Sequence, residues 1–225
     1  MNNGMYSKHY LGKKGLQYSS QVGQLKKESL GFNIQAKYFK KYLNRRDNVL
    51  DFGCGNGGLT QILGGLVKSI SALEINPHSR RIALRKGLIV YKELRSVPLK
   101  KYDKIVTNHV LEHIPNIYET LINLKSKLKP SGCLIIIVPI EDIRKKENKI
   151  WREDDLDNHL YSWTPLQFGN LLQEAGFKPL EIRVIENAWH PKLFFLGIGI
   201  LQKISGFFLS KIKHRKELFA VAKKI

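Results

Sequence analysis

Glycines and a single acid are concentrated in one stretch of the chain that could hold a ligand against bare backbone. Residues 49–60 read VLDFGCGNGGLT, in which Asp51 lies between apolar residues and is followed by Gly53, Gly55 and Gly57. Apolar residues then return at helical spacing, which predicts a buried strand, a tight turn and the first turn of a helix. Glycine suits positions where φ is positive or where a ligand approaches the main chain, and the first amides of a helix are free to bind it.

Two kinds of cofactor fit such a turn, and the charge of Asp51 separates them. The spacing of Gly53, Gly55 and Gly58 satisfies the dinucleotide fingerprint, and Glu74 follows about twenty residues on. A carboxylate just ahead of the glycines would repel a pyrophosphate, whereas it would attract the ammonium and sulfonium of S-adenosylmethionine. Glu74 can accept hydrogen bonds from ribose hydroxyls in either case. The acid before the turn therefore favours the methyl donor.

The chain resembles the class I S-adenosylmethionine-dependent methyltransferases in several blocks that follow the family's order over roughly residues 45–190. After the glycine turn these blocks are LEIN at 73–76, YDKIVTNHVLEHI at 102–114, LKPSGCLIIIVP at 128–139, and HLYSWTP at 159–165 with EAGF at 174–177. The resemblance implies an α/β fold, a Rossmann-like doubly wound sheet of seven strands that is mostly parallel with an antiparallel last strand. It also implies S-adenosylmethionine as the cofactor.

The same resemblance assigns cofactor contacts to positions at the predicted strand ends. Glu74 is the ribose-binding acid, and Asn108 lies near the methionine end, although a strand-end cap explains Asn108 equally well. The family usually has an acid near the adenine amino group, but residues 91–96 read YKELRS without an Asp, so either Glu93 or backbone groups around Leu94 fill that role. The predicted cofactor-binding residues are Asp51, Gly53, Gly55, Gly57, Glu74, Asn76, Glu93, Leu94 and Asn108.

The acceptor side needs less side-chain chemistry, because alignment of the nucleophile lowers much of the barrier. A hydroxyl acceptor also needs a base, and His109, His113, His159 and Tyr161 are the candidates. The Glu-His pair is frequent in the family even where no base acts, which favours a structural role for His113. His159 and Tyr161 stand in a segment expected to overhang the pocket and are favoured for substrate contact. We predict no metal site, since neither cysteine has metal-ligand spacing.

Alternating apolar patterns predict strand–helix repeats along most of the chain. Because helices between consecutive strands form right-handed crossovers, we expect a parallel sheet covered on both faces. Ligands bind such sheets beyond the carboxyl ends of the strands, where the strand order reverses. Strands are predicted near 48–52, 69–74, 88–91, 103–108, 133–138, 180–187 and 217–223, and helices near 32–43, 58–66, 77–85, 116–128 and 165–175.

The expected domain organisation has three parts. Residues 1–44 form an N-terminal segment, either a lid over the cofactor or a partly ordered tail, and residues 45–189 with 214–225 form the methyltransferase domain. Residues 190–213 form an insertion in which an apolar run is flanked by Lys and Arg. This composition suits the interface of an anionic membrane, but packing on the protein itself or in a homodimer also explains it.

Composition limits the class of protein. At 225 residues, with 43% hydrophobic and 25% charged residues, the chain has the make-up of a folded globular protein. The net charge of +19 suits a nucleic acid or an anionic membrane, or simply basic residues spread over solvated faces. Two isolated cysteines indicate a reducing compartment, and residues 1–20 lack the apolar core of a signal peptide. A cytoplasmic protein, peripheral at the inner face of the membrane if the insertion binds lipid, is expected.

Four functions remain in competition. The favoured one is methylation, preferably of an oxygen, on a small or lipid-linked acceptor such as a sugar, a quinone-type precursor or another amphiphile. An RNA methyltransferase is the alternative that the charge suggests, although the chain has TNHV at 107–110 where amino-methylating enzymes carry a Pro-Pro-aromatic motif. A nicotinamide-dependent oxidoreductase is disfavoured by Asp51. A non-catalytic, cofactor-binding member of the fold remains open.

Overall fold

A computed structural model of the chain describes residues 7–23, 28–141, 149–186 and 216–225. Seven strands form one sheet in the order β3-β2-β1-β4-β5-β7-β6. Only β7 runs antiparallel to its neighbours within this described sheet, which confirms the predicted fold class. The strands are β1 (Asn48–Phe52), β2 (Ser69–Leu73), β3 (Val90–Tyr91), β4 (Tyr102–Asn108), β5 (Leu128–Ile140), β6 (Phe177–Glu186) and β7 (Lys216–Lys224).

Helices connect these strands as the periodicity predicts, and their ends are set by capping residues. Asn76 accepts hydrogen bonds from the amides of His78 and Ser79 ahead of a proline, and Thr164 forms a capping box with Gln167. The helices are α1 (Lys13–Gly23), α2 (Glu28–Lys40), α3 (Gly58–Gly64), α4 (Pro77–Arg85), α5 (Ile117–Lys127) and α6 (Pro165–Glu174), with short 3-10 turns at Lys8–Tyr10, Leu94–Ser96 and Leu111–His113.

The N-terminal segment differs most from the sequence prediction. Residues 1–30 show no firm periodicity, yet the structure contains α1 there, and α2 starts at Glu28 and ends at Lys40 instead of covering 32–43. Short polar helices depend on tertiary packing more than on propensity. The backbone carbonyls of Tyr10 and Gly15 both accept hydrogen bonds from the Asn76 side chain, so contacts made far along the chain hold this segment.

The core has two layers, because each strand sends alternate residues to opposite faces of the sheet. One layer includes Leu50, Ile105 and Leu134 under α5 and α6, and the other includes Val49, Val106 and Ile135 under α2 and α3. Burial on both faces explains the nearly continuous apolar run of β5. The two layers fix the carboxyl ends of β1, β2 and β4 relative to one another, and the site lies at those ends.

The sequence predictions about the insertion and about membrane contact concern residues that lie between β6 and β7 in the sequence. The insertion at 190–213 and its proposed membrane contact lie outside the described residues. In the portion of the chain that is described, we find no helix with the length and apolar character needed to cross a membrane.

Candidate active site

A cavity of about 220 Å³ opens at the carboxyl ends of β1, β2 and β4. This is where the strand order reverses, with β2 on one side of β1 and β4 on the other, as expected for a ligand site in a doubly wound sheet. The N-terminal segment and α2 form its outer wall. Its lining residues include Tyr10, Tyr18, Ser19, Phe32, Asp51, Gly53, Gly55, Asn56, Glu74, Asn76, Asn108, His109, Val110 and His113.

The glycine turn is held against β2 by its own backbone. The amides of Gly53 and Cys54 both donate to the carbonyl oxygen of Leu73, at 2.9 and 3.0 Å. Gly53 has a φ of +83°, and a Cβ there would lie 2.3 Å from Cγ2 of Val110, so both conformation and space require glycine. Gly57 is the N-cap of α3 and is not among the residues that line the cavity.

Asp51 is almost fully buried at the floor of the cavity. It is 2% exposed, and its Oδ2 accepts a hydrogen bond from the Thr60 hydroxyl at 2.6 Å. Burial raises the pKa of Asp51 to about 6, the Glu74 carboxylate adds to this rise, and the Thr60 hydroxyl opposes it. Ionised Asp51 is therefore costly among its protein neighbours alone and would be stabilised by a cation.

Glu74 follows β2 directly and is 8% exposed. Its Oε2 accepts from the Gly55 amide at 2.8 Å, and its Oε1 accepts from the Asn76 amide at 2.7 Å. Burial raises the pKa of Glu74, while these two amides act in the opposite direction. Each carboxylate oxygen still has a lone pair for a ligand hydroxyl.

The charge of the cavity discriminates between the two cofactors considered. Among the described residues that line it, two are carboxylates and none is a lysine or an arginine, although the protein carries a net charge of +19. Two buried carboxylates would repel a pyrophosphate, and they suit a ligand with positive charge. His109 also lines the cavity and its pKa is raised, but its positive charge is paired with Glu112 and Glu217. The donor set thus fits S-adenosylmethionine, with Asp51 and Glu74 on the two sides of the glycine turn.

The predicted adenine contacts lie outside the cavity wall. Leu94 is 2% exposed and belongs to the core. Glu93 forms an ion pair with Arg95, with 2.7 Å between Oε2 and Nε. Neither residue is among those that line the cavity. At the 3-10 turn Leu94–Ser96, the Leu94 side chain packs into the core, and the Glu93 side chain pairs with Arg95.

His113 brings a basic nitrogen to the acceptor side of the cavity. Its Nδ1 lies 2.9 Å from the Tyr10 hydroxyl and 3.5 Å from the carbonyl oxygen of Asn158, and the Tyr10 hydroxyl itself donates to the carbonyl of Asp157. Both partners of Nδ1 therefore accept, which places the proton on Nδ1 and leaves Nε2, 3.6 Å from Oε1 of Glu112, without a proton. Burial lowers the pKa of His113, and the Glu112 carboxylate opposes this effect, so the neutral imidazole prevails near pH 7.

The other candidate bases occupy different positions. His159 is not among the cavity's lining residues; its Nδ1 lies 2.6 Å from Oε1 of Glu141, and although burial acts against the charged form, this carboxylate raises the pKa of His159. The Tyr161 hydroxyl donates to the Pro115 carbonyl at 2.8 Å and also lies outside the lining. His109 lines the cavity, but the carboxylates of Glu112 and Glu217 overcome burial and raise its pKa.

Glu112 lies behind both cavity histidines and is fully buried. Its Oε1 is 3.6 Å from Nε2 of His113 and 3.5 Å from Nδ1 of His109. Glu112, His113 and His159 each bring one possible ligand atom to within 4.8 Å of the others, which is the one such group in the described part of the chain. The sequence analysis predicted no metal site and did not anticipate this group, since His159 is distant in sequence from Glu112 and His113.

The sequence analysis left open whether the N-terminal segment covers the cofactor as a lid, and it named none of that segment's residues as part of the wall. Tyr10, Tyr18 and Ser19 line the cavity, as does Phe32 from α2. The three tyrosines at 6, 10 and 18 are the large rings of residues 1–30, and they were the available signal. Ring clusters without periodicity do not reveal which surface they cover.

Comparison with known proteins identifies the family. Residues 32–182 match the family model described as a methyltransferase domain, which is more than half of the chain. Among curated relatives, the chain is 32% identical over 96 residues to the ubiquinone biosynthesis O-methyltransferase of Rickettsia bellii (strain OSU 85-389), covering 39% of this chain and 40% of that protein. It is 36% identical over 96 residues to the protein of that name from Rickettsia prowazekii, covering 39% and 38%. The match thus spans about two fifths of the length of these relatives.

Solved structures share the fold at low identity. Phosphoethanolamine N-methyltransferase 2 of Haemonchus contortus superimposes with a TM-score of 0.63 at 13% identity, covering 85% of this chain and 52% of that one. Geranyl diphosphate C-methyltransferase of Streptomyces coelicolor A3(2) gives a TM-score of 0.64 at 13% identity, with 86% and 79% covered. The family-model match over residues 32–182 shows that the chain belongs to the methyltransferase-domain family of enzymes, with S-adenosylmethionine as cofactor, and these structures show that it shares their fold.

Proposed function

We propose that this protein transfers a methyl group from S-adenosylmethionine to a hydroxyl oxygen of a small, amphiphilic acceptor that binds beside His113. The observation that carries the proposal is the anionic cavity in a strongly basic protein, with two buried carboxylates beside a glycine turn and a neutral histidine across from them. The cofactor, when bound, supplies an electrophilic methyl group on a positively charged sulfur.

Asp51 and Glu74 bind and orient the donor in this proposal. Ionised Asp51 attracts the ammonium of the amino-acid end, and this contact relieves the cost of its burial. Glu74, held by the amides of Gly55 and Asn76, accepts hydrogen bonds from the ribose hydroxyls. Gly53 and Gly55 leave the backbone bare so that the ligand can lie against it.

His113 is the base that prepares the acceptor. Nε2, which carries no proton in this tautomer, accepts the proton of the acceptor hydroxyl, and the Glu112 carboxylate, 3.6 Å from Nε2, stabilises the imidazolium that forms. Tyr10 holds Nδ1 and so fixes the tautomer and the ring orientation. His159 and Tyr161 then serve to pack and position this arrangement, since His159 lies against His113 with 4.9 Å between ring centroids.

A quinone-type phenolic precursor is the acceptor class that we favour. Curated relatives that match the chain are named ubiquinone biosynthesis O-methyltransferases, and Phe32, Val110 and Ile114 give the cavity apolar walls that suit an aromatic ring. The N-terminal segment closes over this side as a lid, through the contacts of Asn76 and His113 with Tyr10.

Methyl-transfer assays with labelled S-adenosylmethionine test this function. We expect turnover with a prenylated catechol, little turnover with a transfer RNA pool, and calorimetric binding of S-adenosylhomocysteine. Transfer to RNA with strong salt dependence would support the alternative that the net charge suggests. Binding of S-adenosylhomocysteine without turnover on any acceptor would support a non-catalytic role, and binding of a nicotinamide dinucleotide instead would overturn the proposal.

A lipid-linked acceptor and a peripheral position at an anionic membrane extend the same proposal. One support is the apolar and basic composition of residues 190–213. The other is the direction of β6: because β7 runs antiparallel to both β5 and β6, β6 has the same direction as β5 and ends at the edge of the sheet where the cavity lies. Co-sedimentation with anionic liposomes tests it. We expect binding that deletion of residues 193–209 abolishes; unchanged binding, or a change only in oligomeric state, would favour internal packing or a homodimer contact.

A further inference from the structure

The side chain of Asn108 is held by a residue that no motif identifies. Asn108 is the last residue of β4 and lines the cavity. Its Nδ2 donates to Oε1 of Gln35 at 3.1 Å. Gln35 comes from α2 and is 9% exposed, and its hydrogen bond with Asn108 is partly buried.

The other end of the Asn108 carboxamide lacks a protein partner. Its Oδ1 is buried and has no hydrogen bond within the described residues. A buried acceptor left unpaired costs free energy, and such an atom in a cavity wall indicates that a ligand donor completes it. Because Nδ2 is committed to Gln35, the ligand side of Asn108 presents only an acceptor.

The position of Asn108 indicates which part of the ligand it meets. β2 and β4 lie on opposite sides of β1, and Glu74, the proposed ribose acceptor, follows β2. If the ribose of S-adenosylmethionine is bound at the end of β2 and the cofactor crosses the glycine turn after β1, its amino-acid end reaches β4. The ammonium of that end has three N–H donors and no acceptor, which matches the unpaired Oδ1 of Asn108 and ionised Asp51.

We infer that Gln35 is a positioning residue for the cofactor: it holds the Asn108 carboxamide so that Oδ1 faces the ammonium group. A carboxamide that turns over would present Nδ2 instead, and two donors would then face each other. The Oε1 of Gln35 prevents this by accepting from Nδ2. This inference rests on the proposed function, because it takes S-adenosylmethionine as the ligand. A purely structural link between α2 and β4 is the alternative.

Two ligands separate these roles. S-adenosylhomocysteine carries the amino-acid end, whereas 5′-methylthioadenosine has the same nucleoside without it. In Gln35→Met, which keeps the side-chain length but loses the acceptor, we expect affinity for S-adenosylhomocysteine to fall on the order of fivefold to tenfold, as for one lost hydrogen bond, with affinity for 5′-methylthioadenosine unchanged. Gln35→Glu keeps an acceptor and should retain the affinity of the parent.

Three controls make the outcome decisive. Lys37→Ala alters an exposed residue of the same helix and should change neither affinity. Asn108→Asp presents an acceptor in either orientation, so adding Gln35→Met to it should have little further effect. Should Gln35→Met not fold, Gln35→Asn, which is one methylene shorter, serves in its place, and retained binding of 5′-methylthioadenosine checks the fold of each variant.

If Gln35→Met lost the same affinity for both ligands, or lost none for either, the positioning role would be overturned. Gln35 would then only link α2 to β4. Failure of the parent protein to bind S-adenosylhomocysteine would instead contradict the proposed function itself. The two failures are therefore distinguishable in the same calorimetric series.

Discussion

The donor side and the acceptor side of the cavity are built in opposite ways. On the donor side, Asp51, Gly55 and Glu74 belong to one continuous strand–turn–helix–strand unit, and their hydrogen bonds join residues that are close in sequence. On the acceptor side, His113 meets Tyr10 across 103 positions and His9 meets Leu156 across 147. The first half depends on local geometry, and the second depends on how distant segments pack.

The charge of the two halves also differs. Asp51 and Glu74 are buried carboxylates whose pKa values are raised, so the donor side is poised for a cation. The acceptor side contains a neutral imidazole next to a buried carboxylate, an arrangement suited to receiving one proton. Changes in the two halves should therefore produce different signatures: donor-side changes alter cofactor affinity, and acceptor-side changes alter turnover.

The largest effect is expected for Asp51→Asn. Removal of one partner of a buried charge pair costs about 3–5 kcal/mol, so affinity for S-adenosylhomocysteine should fall on the order of a hundredfold or more. The unliganded protein should become more stable, by roughly 2 kcal/mol, since the pKa of Asp51 at about 6 means that its ionised form is costly in the fold. Calorimetry and thermal unfolding check both effects.

A matched control is Asp103→Asn, an acid on β4 that bonds Lys129 and the amide of Asn48. It is not among the cavity's lining residues, so cofactor affinity should not change and stability should fall slightly. Equal affinities for the parent and Asp51→Asn would remove the electrostatic basis of the donor side.

The acceptor side is tested by His113→Gln. General-base catalysis contributes about 10²–10⁴-fold, so kcat should fall on the order of a hundredfold with the affinity for S-adenosylhomocysteine unchanged. Tyr10→Phe should reduce kcat by less, because it removes only the group that orients Nδ1. Steady-state kinetics with the accepted phenol gives both values.

The same assay distinguishes a base from a metal ligand at Glu112, His113 and His159. With His113 acting as a base, dialysis against EDTA should leave kcat unchanged. Loss of activity on dialysis, with recovery on addition of a divalent cation, would contradict the base role and assign these three side chains to a metal.

The glycine turn provides a comparison within the donor side. Gly53→Ala forces a side chain onto Val110 at a φ of +83° and should cost about 3 kcal/mol of unfolding free energy. Gly55 also has a positive φ, of +53°, but no atom lies within 4 Å of the site of its Cβ, so Gly55→Ala should cost about 1 kcal/mol. Chemical denaturation measures both, and equal losses would show that Val110 does not restrict the turn.

The smallest effect is a pH dependence that should belong to the donor side alone. Ionised Asp51 is required for the cation, and its pKa is about 6, so affinity for S-adenosylhomocysteine should be constant above that pH and fall about tenfold per unit below it. The contribution of Asp51 to stability should move the other way: the fold binds its proton more tightly than the unfolded chain, where its pKa is 3.8, so this contribution to the unfolding free energy rises as pH falls from 6 towards 4. The lowered pKa values of Asp103 and Glu112 act in the opposite direction, so the Asp51 contribution is read from the difference between the parent and Asp51→Asn. Asp51→Asn should remove most of both trends.

The elements that the sequence predicted correctly are those set by local geometry, and the elements that it missed depend on distant contacts. α4 occurs at the predicted residues 77–85, and β5 and β7 include the predicted runs, because apolar periodicity and caps act over a few residues. β3 is reduced to two residues, since only Val90 and Tyr91 pair with β2. α1 was not predicted, because its position depends on the Asn76 side chain, some sixty residues away along the chain.

The sequence by itself determined the order of strands and helices, the glycine turn and the two acids beside it, since these follow from spacing within single elements. Only the tertiary structure decided that Tyr10 reaches the cavity and that Gln35 holds Asn108, that Glu93 and Leu94 lie outside the cavity wall, and that His113 lines the cavity whereas Tyr161 does not. Such contacts depend on loop closure and on the packing of distant segments, and no local pattern of residue types encodes them.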